Sequence, residues 1–112
     1  YANAGAALVH FPRGVRTAWH THPAGQNLIV TKGKIYTGTV DGTLQIASAG
    51  DVVLCPPNLK HWHGAGVQED GEHIAVTFEK DSKNVTWLEH LSEDEYKNLI
   101  KKADELQKID KP

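Results

Sequence analysis

His20 and His22 stand one residue apart, as do His61 and His63, so four of the seven histidines in this 112-residue chain fall into two His-x-His pairs. In an extended strand alternate side chains leave the same face, and each pair therefore aims two imidazoles in one direction. Gln26 follows the first pair after the turn-forming stretch Pro23-Ala24-Gly25, which can bring its side-chain oxygen back towards those rings. If a curved sheet turned these groups inward, three imidazoles and one amide oxygen would meet. That donor set suits a borderline first-row divalent cation. The bland alternative is a set of core or surface histidines with ordinary partners, because one His-x-His pair is a weak signal. Two pairs, each bracketed by Gly and Pro turn residues, point to metal binding.

Short β-type runs separated by turn residues must position these groups, a pattern of a sandwich or barrel. Strands are expected near residues 6–11, 18–22, 27–31, 34–40, 43–46, 51–54, 60–64 and 74–79. Asp41-Gly42 reads as a two-residue hairpin turn with positive φ at both central positions, and Lys32-Gly33 as a second, weaker one. Pro56-Pro57 marks a strand break just before His61. Beyond Asp81 the pattern changes. Ser92 followed by Glu95 forms a helix-start signature, and Tyr96, Leu99, Ile100, Ala103 and Leu106 then recur at helical spacing. The expected organisation is one all-β domain over residues 1–91 with a C-terminal α-helix over 92–108, packed on the same domain or on a second subunit.

Strand parity assigns the remaining candidates. Trp19 and Trp62 alternate with the histidines and should face another sheet or a second subunit; Trp87 should also pack. Leu28 and Val30 share the parity of Gln26 and, with Val53 or Cys55, are the expected apolar lining of a pocket. Cys55 reads as a small buried filler. His10 is expected to be a half-buried structural residue or to line the pocket, and His73 and His90 are assigned no chemistry.

Composition removes several function classes. With 14 acidic and 12 basic residues, a net charge of -2 and no concentrated basic face, nucleic acid is not an expected partner. No apolar run approaches the roughly 20 residues of a membrane-spanning helix. The single cysteine excludes an intrachain disulfide and leaves the cytoplasm as the default expectation. The chain starts at Tyr1 and holds no Met, which is compatible with a processed or truncated N-terminus.

Two spacings resemble those of the cupin family. The first is Gly14-x5-His20-x-His22-x3-Gln26-x6-Gly33, with Gln26 in place of the usual Glu. The second is Gly50-x5-Pro56-x-Asn58-x2-His61, with Asn58 in place of the usual Gly and Ala65 at the family's closing Asn. The resemblance implies a jelly-roll β-barrel with His20, His22, Gln26 and His61 as ligands of one divalent metal ion. The strings RTAWHTHPAGQNLIVTKG, GDVVLCPPNLKHWHGA and TWLEHLSEDEY are similar to small single-domain cupins associated with carboxymuconolactone decarboxylases. That subgroup includes manganese-dependent hydroxynitrile lyases that also use Gln as fourth ligand, so the resemblance implies manganese, with zinc, iron, nickel or cobalt as alternatives.

An amide in place of a carboxylate removes one negative charge from around the ion, which should make it a stronger Lewis acid and less suited to redox cycling. This favours a lyase acting on a small hydroxyl or carbonyl compound. His63 shares the face of His61 without occupying a ligand position. It is expected to be the catalytic acid–base group, the alternative being a supporting or replacement ligand. A metal-dependent dioxygenase and a non-catalytic metal- or small-ligand-binding protein are the competing classes. The expected partners are a small-molecule substrate and, through the external Trp residues, a second copy in a homodimer.

Overall fold

The computed structural model describes residues 4–110. Eight strands and one helix follow in order: β1 (Ala4–Phe11), β2 (His20–Thr21), β3 (Gln26–Thr39), β4 (Leu44–Ser48), β5 (Val52–Cys55), β6 (His61–Gly64), β7 (Gly71–Phe78), β8 (Thr86–Trp87) and α1 (Glu93–Asp110). All pairings between them are antiparallel. The sheet runs β1-β7-β3-β6-β2-β8, with β4 and β5 also paired to β3. It curls into the expected jelly roll carrying one C-terminal helix. Among the described residues, no helix is long and apolar enough to cross a membrane.

The central element is β3, and here the expected hairpin at Lys32-Gly33 is replaced by one continuous strand. Its first half pairs with β5 and β7, its second half with β4 and β6. A register shift between Val30 and Lys32 and a positive φ of 60° at Gly33 bend the strand from one half of the roll to the other. A side chain at Gly33 would run into the carbonyl of Asp70, so only glycine fits this crossing. The hairpin at Asp41-Gly42 does form, but with a different turn. Gly42 N–H donates to the Thr39 carbonyl at 3.0 Å and only Gly42 takes a positive φ, which is a type I turn closed by a bulge glycine. The Asp41 carboxylate, which accepts from Thr43 N–H at 3.1 Å, holds that geometry.

Two apolar clusters hold the domain. Phe11, Leu28, Val30, Ile35, Ala47, Val53, Cys55, Ala65 and Ala75 fill the roll. Tyr36, Trp62, Leu91, Tyr96, Ile100 and Ala103 form a second cluster beneath α1. Burial of each large side chain is worth roughly 1.5–3 kcal/mol. Trp62 therefore does face away from the histidines, but this chain's own helix covers it instead of a second subunit, with the Tyr96 ring edge-on at 6.1 Å. The helix starts as its sequence predicts: Glu95 N–H donates to Ser92 Oγ at 3.1 Å, and Glu93, Asp94 and Glu95 sit at the positive end of the helix dipole. Arg16 ties that end to the roll, donating to the Leu91 carbonyl at 2.7 Å and to Glu93 at 2.8 Å.

Candidate metal centre

The two His-x-His segments are brought together by strand pairing, since His20 of β2 lies directly opposite His61 of β6. Turn chemistry sets the rest. Gly25 takes a φ of 87°, which reverses the chain after His22 and starts β3 at Gln26. Asn58 adopts a φ of 62°, a left-handed conformation that Asn tolerates better than other side-chain-bearing residues, so it substitutes for glycine at this position. Its N–H donates to the His22 carbonyl at 2.8 Å and ties the turn before His61 to the first pair.

Backbone carbonyls fix the orientation of each ring. The Nδ1 atoms of His20, His22 and His61 lie 2.8, 2.6 and 2.9 Å from the carbonyls of Ala18, Asn84 and Leu59. A carbonyl only accepts, so each Nδ1 carries the proton and each Nε2 presents a bare lone pair. One nitrogen from each ring lies within 4.8 Å of the others. All three residues are buried. Gln26 Nε2–H donates to Thr77 Oγ1 at 2.8 Å, leaving Oε1 as the free end of the amide. His22 Nε2, His61 Nε2 and Gln26 Oε1 are buried with no hydrogen-bond partner among the described residues. Unpaired buried acceptors are costly, and the converging ring nitrogens fit a cation that would satisfy them together.

Electrostatics agree. Burial pushes His20 down to about 4, with the nearby His61 and His22 adding to the effect. Burial likewise lowers His22 and His61. Neutral imidazole is the form that binds metal, and these rings reach it without displacing a proton at neutral pH.

His63 points into the same space, its ring centroid 5.1 Å from that of His20. Burial first, then the neighbouring rings of His20 and His73, hold it well below the ordinary imidazole range. His73, expected to carry no chemistry, is fully buried and places Nε2 3.1 Å from His63 Nδ1. Its own burial lowers it to about 4. The sequence did hold a signal for it: His73, Ala75 and Thr77 alternate along β7 and all reach the cavity. His10 instead lies on the outer surface beside Asp70 and Glu72, and His90 is exposed.

The rings open onto a cavity of about 290 Å³. Its apolar wall is not the expected one: Leu28, Val30, Val53 and Cys55 belong to the core, and the lining comes from Ala7, Val9 and Phe11 of β1, Ala75 of β7, Val85 and Trp87. Parity identified the inward face of β3 correctly but could not show that β1 and β7 close the cavity. Trp87 does not pack inside; it is 61% exposed and lies against His20 at the cavity's edge, 4.9 Å between ring centroids.

The cupin domain model matches residues 7–77. The chain belongs to the cupin family. This cupin is 45% identical over 91 residues to the (R)-mandelonitrile lyase of Granulicella tundricola, covering 81% of this chain and 70% of that one. It is 40% identical to the crystal structure of a cupin-like protein from Thermotoga maritima, with a TM-score of 0.82 over 87% of this chain and 73% of the other. A DMSP lyase of Ruegeria pomeroyi shares the fold at 18% identity and a TM-score of 0.65, over 75% of this cupin and 42% of that chain.

Proposed function

We propose that this cupin is a metal-dependent lyase that cleaves the C–C bond of a small cyanohydrin, releasing an aldehyde and hydrogen cyanide. The observation that carries the reading is the convergence of bare ring nitrogens from His20, His22 and His61 beside a cavity that Gln26 and a buried His63 line. The likeness to the mandelonitrile lyase supports it. His20, His22, Gln26 and His61 would hold the ion, and manganese is the one favoured by the sequence resemblance. A divalent cation bound there supplies a Lewis acid that polarises a hydroxyl or carbonyl oxygen.

The chain's own residues account for the proton. His63 Nδ1 and His73 Nε2 lie 3.1 Å apart, so one ring donates and the other accepts, and the reaction requires the proton on His63 Nδ1. His73 Nε2 is then an acceptor and His63 Nδ1–H donates to it. The lone pair of His63 Nε2 is thereby left for the cavity. That atom takes the substrate hydroxyl proton as the carbonyl forms, and the C–C bonding pair leaves on cyanide. The proton then passes from His63 to the cyanide, so hydrogen cyanide departs and His63 is regenerated. Held neutral by burial, His63 is ready as a base throughout the neutral range. Ala7, Val9, Phe11, Ala75 and Val85 exclude water and suit an apolar or aromatic substituent on the substrate.

The test is benzaldehyde release from mandelonitrile by manganese-loaded protein, with His63→Asn alongside. Turnover that falls at least about a hundredfold in His63→Asn is expected. Absence of cyanohydrin cleavage by loaded protein, or unchanged turnover in His63→Asn, would overturn the reading. Oxygen consumption by iron-loaded protein would point instead to a dioxygenase.

A further inference from the structure

We infer that Thr77 is a positioning residue for the metal centre: its hydroxyl, opposite Gln26, accepts from the carboxamide NH2 group and supports the orientation that turns Oε1 to the three imidazoles. The inference rests on the ligand reading above and goes beyond it to a residue outside the ligand set.

Gln26 and Thr77 are direct cross-strand partners of β3 and β7, and Gln26 Nε2–H donates to Thr77 Oγ1 at 2.8 Å. The two ends of a carboxamide have nearly the same shape and opposite chemistry. Only the oxygen has lone pairs to offer a cation, whereas the NH2 group presents hydrogens. The imidazoles need no such selection, because carbonyls of Ala18, Asn84 and Leu59 already fix their rings. Gln26 has no backbone carbonyl playing that part in the hydrogen bonds described. With its oxygen turned to the ion, the buried NH2 end must find an acceptor in the opposite direction, and Thr77 Oγ1 is there. Without the hydroxyl, the ligating orientation leaves a buried donor unpaired, while the reversed orientation turns hydrogens towards the bare nitrogen of His22, which lines the same cavity as Gln26. A hydroxyl can also donate to a reversed amide oxygen, so Thr77 acts by pairing the NH2 end when Oε1 turns to the ion, and its loss penalises the orientation that can bind metal.

The experiment is a manganese titration of chelator-treated protein, following free Mn2+ by electron paramagnetic resonance, for wild type, Thr77→Val, Thr77→Ser, Gln26→Ala and the double variant Gln26→Ala/Thr77→Val. Valine keeps the shape of threonine and suits a strand; serine keeps the hydroxyl. Thr77→Val should weaken Mn2+ binding about tenfold, as losses of groups that orient ligands do, and Thr77→Ser should restore most of it. In the Gln26→Ala background Thr77 has no amide to hold, so adding Thr77→Val should cost less than about twofold. Wild-type affinity in Thr77→Val, or an equal loss in the Gln26→Ala background, would overturn the inference and leave the ligand reading standing. Wild type that takes up no Mn2+ would overturn both.

Discussion

Acidification of the metal-free protein should unfold it in a window set by its buried imidazoles. His20 and His73 are 1% and 0% exposed, and burial lowers each from the ordinary value of 6.5 to about 4. In the unfolded chain they regain the ordinary value, so between those limits the unfolded state binds more protons and stability falls as pH falls. At pH 5 each group costs about 2 kcal/mol relative to neutral pH, rising to about 3 kcal/mol below pH 4. Together the two remove about 4 kcal/mol at pH 5, a large share of the roughly 5–15 kcal/mol typical of a domain. His63, lowered in the same direction, adds to the loss. The assay is urea unfolding of chelator-treated protein at pH 7 and pH 5, with His73→Phe as a variant lacking one of these titrations. The midpoint should drop sharply between the two pH values in wild type and less in His73→Phe. Equal midpoints at pH 7 and pH 5 would refute the claim that these rings are buried uncharged.

Burial also raises the Cys55 thiol to about 11, so a thiol reagent at pH 8 should label it only after denaturation, read by mass spectrometry. A side chain at Gly38 would press on the indole of Trp62, which is 1% exposed, and Gly38→Ala should cost about 1–3 kcal/mol in urea unfolding. Tyr96 donates its hydroxyl to the buried Ala65 carbonyl at 2.6 Å; Tyr96→Phe should lower stability by about 1–2 kcal/mol, measured the same way, without altering Mn2+ affinity.

Period-two alternation made much of the site legible. It put His20 with His22 and His61 with His63, and the glycine and proline turns around them signalled that the sheet reverses there. The helix was equally plain, because Ser92, Glu95 and the apolar stripe from Tyr96 agree. What local pattern could not convey was which strand lies opposite which. Lys32-Gly33 has the composition of a hairpin, yet pairing of β3 with β7 on both sides of the bulge keeps the strand whole. Beginning the strand of residues 74–79 after His73 excluded the ring that bonds to His63, and with it the parity that links His73 to Thr77. Trp62 was assigned the correct face, but its covering partner, α1, lies far along the chain. Cavity walls depend on the same long-range pairing, since β1 reaches the site only through β7.

The most direct test of the centre is pulsed electron paramagnetic resonance on Mn2+-loaded protein, where each coordinated imidazole nitrogen modulates the electron spin echo. Couplings from three such nitrogens are predicted, falling to two in His61→Ala. A bound ion that shows no imidazole nitrogen coupling, or a modulation unchanged in His61→Ala, would contradict the placement of the cation among His20, His22 and His61.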